Sequence, residues 1–288
     1  MTATRDDAAA VPFRPPLEWG AMLAFLAPRA TPGVEAVDGA TYRRTIEVGG
    51  ARGTMTVRLA PGEPALIVHT DLPGVSAELG GRVQRMFDLA ADPLAIAAHL
   101  RRSPLLAAQI EAAAGLRVPG AWDPFELAVR AVLGQQVTVR GATTLAGRLV
   151  RAFGTALRGA EDGLSHLFPA AAALRDADVA SIGVPRARAA TIRALATAVA
   201  RGGLALDVSP GLDDTVARLI AVPGIGPWTA QYVAMRALGE RDAFPATDLG
   251  LRRALRGRTR YAARDWRPWR AYAALHLWTS LADKEGTA

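Results

Sequence analysis

The segment that most constrains the fold is a short turn of glycine and proline between two helical patterns. Gly224 and Gly226 flank a single apolar residue, Ile225, and Pro227 follows at once. Glycine lets the chain turn sharply and bring bare backbone N–H groups against an outside partner. A helix that begins at Pro227 adds the positive end of its dipole at the same point. The turn therefore predicts a helical hairpin whose tip binds phosphate, such as a DNA backbone.

Taken alone, Pro-Gly-x-Gly-Pro also fits an ordinary turn between two helices, because proline and glycine are common in such turns. The residues around it add weight to the phosphate interpretation. Trp228 opens the second helix of the hairpin, and Asp248 lies just after Thr247, at the predicted start of the next helix. A phosphate-binding hairpin, a tryptophan and one carboxylate together predict a functional site. For Asp248, complementing a helix N-terminus is the structural alternative.

The charge of the chain favours a polyanionic partner. The formal net charge is +7, and all but one of the 34 basic residues are arginine, a bias that genome composition also produces. The distribution is the better evidence, because residues 251–270 hold eight arginines and Asp265 as their one acid. This segment is a candidate phosphate-contacting face. A solvated helix surface is the alternative.

The absence of cysteine excludes thiolate zinc sites, iron–sulfur clusters and a thiol nucleophile. The four histidines, at positions 69, 99, 166 and 276, show no pair at the spacing of metal ligands. No apolar run is long enough to span a membrane, and the first residues do not form a signal peptide. These features predict a cytoplasmic protein.

Strand signals occur only in the first third of the chain. Alternating apolar residues predict antiparallel strands over 42–48, 53–59 and 65–70, with helices on either side. The predicted core of this sheet is Ile46, Val48, Met55, Val57, Leu59, Leu66 and Val68. Beyond residue 93 the chain reads as helices separated by proline and glycine. The expected fold is therefore α+β, with an antiparallel sheet domain over 1–92 and an all-helical domain over 93–288.

Several helix ends in the second part have clear signals. Asp123 before Pro124 predicts an N-cap and a first helical residue. Gly134-Gln135-Gln136-Val137 predicts an interruption, after which a further helix follows. The last helix is predicted over 268–281, with a disordered tail at 283–288.

Several motifs together resemble one family. They are Asp123-Pro-Phe-Glu-Leu, Gly134-Gln-Gln-Val, Ile182-Gly-Val-Pro-Arg-Ala-Arg, the Gly224 hairpin and the tryptophan-rich segment from Trp266 to Trp278. In this order they are similar to segments of the 3-methyladenine DNA glycosylase II family of helix-hairpin-helix glycosylases, and the strand-rich part resembles that family's N-terminal domain. The resemblance implies a monofunctional glycosylase, the first enzyme of base excision repair. Such an enzyme flips alkylated bases of the 3-methyladenine and 7-methylguanine type out of duplex DNA and hydrolyses their N-glycosidic bond.

The resemblance also implies roles for individual residues. Asp248 matches the catalytic carboxylate, and Trp228, Tyr232 and Trp278 match aromatic positions of the base pocket. Gln136 matches a position where the best-known member places a leucine wedge, so the resemblance implies a polar wedge in this chain. The alternative is that Gln135 and Gln136 simply cap the interrupted helix. The further implied DNA contacts are Gly224, Ile225, Gly226, Thr229 and Arg252. The backbone carbonyls of Ile220, Val222 and Gly224 match a structural site for Na⁺ or K⁺.

No cofactor is implied for the chemistry, and the implied partner is double-stranded DNA containing damaged bases, bound by a monomer. Two alternatives remain. A non-catalytic DNA-binding module needs the hairpin but neither Asp248 nor an aromatic pocket. A glycosylase for oxidised or deaminated bases with lyase activity needs a lysine amine. The lyase branch has that lysine two residues after the second hairpin glycine, where this chain has Trp228, and its one lysine is Lys284.

Overall fold

The structure, a computed structural model, describes residues 7–74, 76–206, 210–256 and 263–286. A five-stranded antiparallel sheet forms the first part, in the order β1-β5-β4-β3-β2. Its strands are β1 (Asp7–Pro12), β2 (Glu35–Asp38), β3 (Thr41–Val48), β4 (Ala51–Leu59) and β5 (Ala65–Thr70). The helices α1 (Trp19–Leu26) and α2 (Ser76–Met86) accompany it, and a 3-10 turn, Ala27–Arg29, follows α1. This α+β architecture confirms the predicted fold class.

The three predicted strands are present, and β3 and β4 are joined at Gly49 and Gly50, which both have positive φ. Two further strands, β1 and β2, were not predicted. Alanine makes up half of β1, and β2 has four residues, so neither shows an alternating pattern. β1 pairs with β5 and β2 pairs with β3, so both strands form by hydrogen bonding to an existing edge of the sheet. Strand propensity does not predict such pairing.

The predicted core of the sheet is buried, with one exception. Ile46, Met55, Val57 and the other candidates are almost fully buried, whereas Leu59 is 40% exposed. Leu59 is the last residue of β4, where the packing that covers Met55 and Val57 no longer reaches. The prediction that Leu59 lies in the core was therefore wrong.

The remainder of the chain is mainly helical. Its helices are α3 (Pro93–Leu100), α4 (Ala107–Ala112), α5 (Pro124–Leu133), α6 (Val139–Phe153), α7 (Ala171–Leu174), α8 (Arg186–Ala200), α9 (Leu212–Ile220), α10 (Pro227–Ala237), α11 (Leu249–Ala254) and α12 (Arg270–Gly286). The predicted cap of α5 is confirmed, because the Asp123 side chain accepts a hydrogen bond from Glu126 N at 2.9 Å. In the part of the chain that the structure describes, no helix is both long and apolar enough to cross a membrane.

Two expectations for this region were wrong. A strand pair, β6 (Thr155–Ala156) and β7 (His166–Leu167), lies among the helices. Each strand has two residues, too few for a periodic signal, and Thr45 Oγ1 of β3 donates to His166 O at 2.7 Å. The predicted tail from residue 283 is also wrong in part, because α12 continues to Gly286. Residues 287 and 288 lie outside the described chain.

A buried cluster of ion pairs links the sheet to α5. Arg44 of β3 contacts Glu126 at 2.8 Å, and Arg130 contacts both Glu35 at 2.7 Å and Glu126 at 2.9 Å. Tyr42 donates its hydroxyl to Glu35 at 2.6 Å. Burial alone raises the pKa of Glu35, but the charges of Arg130 and Arg44 and the hydrogen bonds from Tyr42 and Thr31 outweigh burial and lower it to about 2. The two parts are therefore held together through buried charges, and the boundary at 92/93 stays a prediction.

Candidate active site

The predicted hairpin is present between α9 and α10. Gly224 has φ +87, which glycine adopts without strain, and Gly226 is the extended residue that precedes α10. Pro227 is the first residue of α10, as its fixed φ favours. The amide end of α10 is therefore presented at the tip of a tight turn, as the sequence predicted.

Three side chains stand four residues apart on one face of α10. Trp228 and Tyr232 stack, with ring centroids 5.2 Å apart and planes 11° apart. Arg236, one turn further, donates from Nη1 to the Tyr232 hydroxyl at 2.7 Å. This spacing places the three side chains in a row along the helix, because residues at i and i+4 are neighbours on an α-helical surface.

Asp248 is held by three hydrogen bonds. Its Oδ1 accepts from Leu251 N at 3.0 Å and from Trp278 Nε1 at 2.9 Å, and its Oδ2 accepts from Trp228 Nε1 at 3.0 Å. The bond to Leu251 makes Asp248 the N-cap of α11, so the structural role anticipated for it is present. The two indoles add a second role, since they hold the carboxylate in one orientation at the edge of a cavity.

This cavity has a volume of about 460 Å³ and brings together four residues predicted for the site. They are Trp228, Tyr232, Asp248 and Trp278. The ring centroids of Tyr232 and Trp278 are 6.3 Å apart and their ring planes are inclined at 57°, so the two rings form a corner. Since Trp228 and Tyr232 already stack on each other, a planar ligand would lie against this corner rather than between those two rings.

The same cavity has walls that the sequence did not predict. Phe25 and Arg29 come from the end of α1 and the turn after it, and Arg130 and Arg236 come from α5 and α10. Arg236 could have been found by extending the spacing of Trp228 and Tyr232 by one turn. Phe25 and Arg29 carry no such signal, because about 200 residues separate them from α10.

These arginines change the acidity of Tyr232. Burial alone raises the pKa of its hydroxyl, but the nearby charges of Arg236, Arg29 and Arg130 outweigh burial and lower it. Burial lowers the pKa of both Arg29 and Arg236. The cavity is therefore lined by several arginines, with Arg253 of α11 among them, and by one acidic residue, Asp248.

The turn between α5 and α6 lies against the hairpin. Gln135 Nε2 donates to Thr229 Oγ1 at 3.0 Å and to Gly224 O at 3.2 Å. The next residue, Gln136, is exposed and has φ +55, a conformation that side-chain-bearing residues rarely adopt. Gln135 thus anchors the turn and Gln136 projects from it.

We expect Gln136→Ala to slow excision from duplex DNA more than excision from single-stranded substrate. A residue that fills the gap left by a flipped base has no gap to fill in a single strand. Alanine has the same Cβ as glutamine, so the strained backbone is preserved. Single-turnover rates on both substrates measure the effect, and equal losses on the two would contradict the wedge role.

The other predicted DNA contacts differ in exposure. The side chains of Ile225 and Thr229 are 4% and 2% exposed, so a contact at these positions would use backbone groups. Arg252 lies exposed on α11. These assignments stay predictions.

Two of the three carbonyls predicted to hold a monovalent cation already accept hydrogen bonds. Val222 O accepts from Ile225 N at 3.1 Å, and Gly224 O accepts from Gln135 Nε2. A carbonyl oxygen has a second lone pair, so these bonds leave room for a cation at Ile220, Val222 and Gly224. Within the described residues, no cluster of three His, Asp or Glu side chains offers another metal site.

The two hairpin glycines are expected to respond differently to valine. A Cβ on Gly226 meets nothing within 4 Å, whereas a Cβ on Gly224 would overlap Thr191 Oγ1 and would also be strained by φ +87. Gly226→Val should therefore fold normally and bind duplex DNA more weakly, because its side chain stands where phosphate approaches. Gly224→Val should lose stability. Melting temperature and duplex affinity separate the two, and unchanged affinity in folded Gly226→Val would remove the hairpin from the interface.

Two family models match the chain. Residues 9–123 match the AlkA N-terminal domain. Residues 129–268 match the HhH-GPD superfamily base excision DNA repair protein. The first model contains the sheet from the third residue of β1 onwards, α1 and Arg29, and the second contains the hairpin and Asp248.

Three known proteins show the extent of the similarity. The chain is 41% identical over 94% of its length to the probable bifunctional transcriptional activator/DNA repair enzyme AlkA of Mycobacterium tuberculosis, but covers 56% of that relative. It thus spans little more than half of that protein. It is 36% identical over 92% of its length to DNA-3-methyladenine glycosylase 2 of Escherichia coli, and covers 95% of it. The 3-methyladenine DNA-glycosylase structure from Archaeoglobus fulgidus shares the fold, with TM-score 0.80, 21% identity and coverage of 96% of this chain and 98% of that one.

Proposed function

Because the chain belongs to the HhH-GPD superfamily of base excision DNA repair proteins, we propose that it is a monofunctional DNA glycosylase. Its proposed substrates are alkylated bases of the 3-methyladenine and 7-methylguanine type in duplex DNA. One observation carries the proposal. The Asp248 carboxylate is fixed by two indole N–H groups at the edge of an aromatic cavity, beside the hairpin.

The proposed reaction begins when the damaged nucleotide rotates out of the helix. Its base lies against the corner formed by Trp228, Tyr232 and Trp278. An electron-poor cationic base gains roughly 0.5 to 2 kcal/mol from contact with such rings. The cavity therefore favours alkylated bases over unmodified ones by stacking rather than by a specific hydrogen-bond pattern.

Asp248 acts on the sugar in this mechanism. The bond between C1′ and the base nitrogen breaks, its electron pair leaves with the cationic base, and that base becomes neutral. Positive charge develops on the sugar, where the fixed carboxylate of Asp248 stabilises it. A water oxygen then bonds to C1′ and releases a proton to solvent, which completes the hydrolysis.

The proposed partner is double-stranded DNA, bound by a monomer through the hairpin and the arginines of α11. A chromosomal substrate places the proposed site of action in the cytoplasm, beside the nucleoid. Affinity should fall linearly on a log-log plot against salt, because bound arginines release counterions from the phosphates.

The decisive test uses duplexes that each carry one defined lesion. Incubation with the protein should release 7-methylguanine as free base, detected by chromatography, while an undamaged duplex of the same sequence yields none. Binding without release of any base would favour the alternative of a non-catalytic DNA-binding module.

A lyase that cleaves the strand is the other alternative, and we expect no such cleavage. The position for a Schiff-base lysine is taken by Trp228, whose indole donates to Asp248. The one lysine, Lys284, lies near the end of α12. Borohydride should therefore trap no covalent protein–DNA adduct. An adduct that disappears in Lys284→Ala would overturn the monofunctional proposal.

A further inference from the structure

Gly250 is a glycine inside a helix, at a position where the backbone does not require one. It is the second residue of α11, directly after the first residue that follows the Asp248 cap. Its backbone is helical and its φ is not positive. A glycine in such a conformation destabilises a helix relative to alanine, because it loses more conformational freedom on folding. The reason for a glycine here therefore lies in the space around it.

That space is bounded by the Asp248 carboxylate and the Trp278 ring. A Cβ at position 250 would lie 3.1 Å from Asp248 Oδ1, 3.3 Å from Trp278 Cδ1 and 3.5 Å from Trp278 Nε1. Carbon atoms in favourable contact are about 3.5 to 4.0 Å apart, so a methyl group would crowd both neighbours. Trp278 Nε1 donates to Asp248 Oδ1 at 2.9 Å. The methyl group would thus press on both ends of this hydrogen bond.

Neither neighbour is free to move away. Asp248 Oδ1 also accepts from Leu251 N, and Oδ2 accepts from Trp228 Nε1, so the carboxylate is held at both oxygens. The Trp278 ring lies beside Tyr232 and packs against a buried cluster to which α11 and α12 contribute. Relief of the crowding by a few tenths of an ångström would therefore disturb a bond that orients the carboxylate.

We propose that Gly250 is a positioning residue, whose lack of a side chain lets the Trp278 indole hold the Asp248 carboxylate at the edge of the cavity. This inference rests on the proposed glycosylase function. Gly250 lines the cavity together with Asp248 and Trp278. It contributes no chemical group to the reaction. It leaves room for the hydrogen bond that fixes the group acting on the sugar.

Gly250→Ala should remain folded and release 7-methylguanine from duplex DNA more slowly. Alanine favours a helix over glycine, so the melting temperature should be unchanged or higher. The single-turnover rate should fall on the order of 10-fold, since a misplacement of about 1 Å costs about 100-fold and the shift here is smaller. Duplex affinity should be unchanged, because neither the charge nor the hairpin changes. A joint loss of melting temperature, affinity and rate would indicate general damage and overturn the inference.

Gly81→Ala is the matched control. Gly81 also lies inside a helix, α2, and its φ is not positive. Apart from the helix backbone, the nearest neighbour of a Cβ there is Arg85 Nη1 at 3.8 Å, an ordinary contact with the end of a flexible side chain. This variant should keep the wild-type rate, so that alanine in a helix is not itself the cause of a slower enzyme.

The Trp278 indole gives a readout that does not depend on activity. Its N–H resonance in a ¹⁵N spectrum reports the hydrogen bond to Asp248, and the resonance is assigned by its disappearance in Trp278→Phe. Gly250→Ala should shift this resonance in the free protein. The indole resonance of Trp19, which donates to Ala40 O, should stay in place. An unchanged Trp278 resonance in folded Gly250→Ala would contradict the positioning role.

Trp278→Phe also tests whether crowding is the cause. It removes Cδ1 and Nε1, the two Trp278 atoms that a Cβ at position 250 would approach. Gly250→Ala should therefore slow excision by a smaller factor in the Trp278→Phe background than in wild type. Equal factors in the two backgrounds would overturn the inference. A wild-type protein that releases no base refutes the proposed function, and the indole resonance then still decides whether Gly250 positions Asp248.

Discussion

Asp248→Asn is expected to lower the single-turnover release of 7-methylguanine by about 100- to 1,000-fold. Losing one preorganised electrostatic contact costs on the order of 3 to 4 kcal/mol in the transition state. Asparagine keeps the size of the side chain and one acceptor oxygen, which can still serve Leu251 N and Trp278 Nε1. The α11 cap should therefore survive while the charge that opposes the sugar cation is lost.

Asp248→Asn also disturbs the hydrogen bond from Trp228, and this effect must be separated from the loss of charge. The amide group introduced at position 248 would face Trp228 Nε1, so that two donors meet where a donor and an acceptor met before. Trp228→Phe removes the indole N–H and keeps an aromatic ring. The double variant Asp248→Asn/Trp228→Phe relieves the clash without restoring the charge, and it should remain as slow as Asp248→Asn.

Binding gives the matching control. Removing a carboxylate near phosphates should leave duplex affinity unchanged or slightly tighter, because one repulsion between like charges disappears. Near-normal release by Asp248→Asn would refute the catalytic role. Recovery of the rate in the double variant would place the effect in the lost hydrogen bond. Loss of folding and binding together would leave Asp248 with its capping role alone.

Glu35→Gln is expected to destabilise the fold by about 3 to 5 kcal/mol, as removal of one partner from a buried ion pair does. Glu35 accepts from Arg130 Nη1 at 2.7 Å, Thr31 N at 3.0 Å and the Tyr42 hydroxyl at 2.6 Å. An amide nitrogen would face one of these donors and leave Arg130 with Glu126 as its only acid. Urea unfolding measures the loss.

Glu78→Gln provides the control for that experiment. Glu78 and Arg82 form an i,i+4 pair at 2.7 Å on the surface of α2. Exposed pairs of this kind contribute about 0.3 to 0.5 kcal/mol. A similar cost for both substitutions would show that the buried cluster adds little stability.

The effect of Glu35→Gln should depend on pH. The pKa of Glu35 is about 2 in the folded chain and 4.5 as its ordinary value. A depressed pKa contributes stability that is present above the unfolded pKa and is lost as pH falls towards the folded pKa. The stability difference between wild type and Glu35→Gln should therefore shrink between about pH 5 and about pH 3. A constant difference over this range would contradict the ionised state of Glu35.

The sequence by itself determined the features that depend on near neighbours in the chain. The hairpin at Gly224 and Gly226, the Asp123 cap and the start of α11 at Asp248 follow from backbone preferences and from bonds that span three residues. The shared face of Trp228 and Tyr232 follows from helical spacing. The α+β class follows from the alternating apolar patterns of the first third of the chain, which give way to helical patterns beyond residue 93. Such features are decided locally, so the order of residues is sufficient to predict them.

Only the tertiary structure decided what meets across long separations. It paired β1 and β2 with the sheet, placed β6 and β7 among the helices, and exposed Leu59 at a strand end. It also distinguished Gly224, which packs against Thr191, from Gly226, which has open space. Above all, it placed Phe25 and Arg29, from the first part of the chain, in the wall of the same cavity as Tyr232. The periodicity of a segment states which face is buried, but not which distant residue covers that face, because that choice depends on how all the elements pack at once.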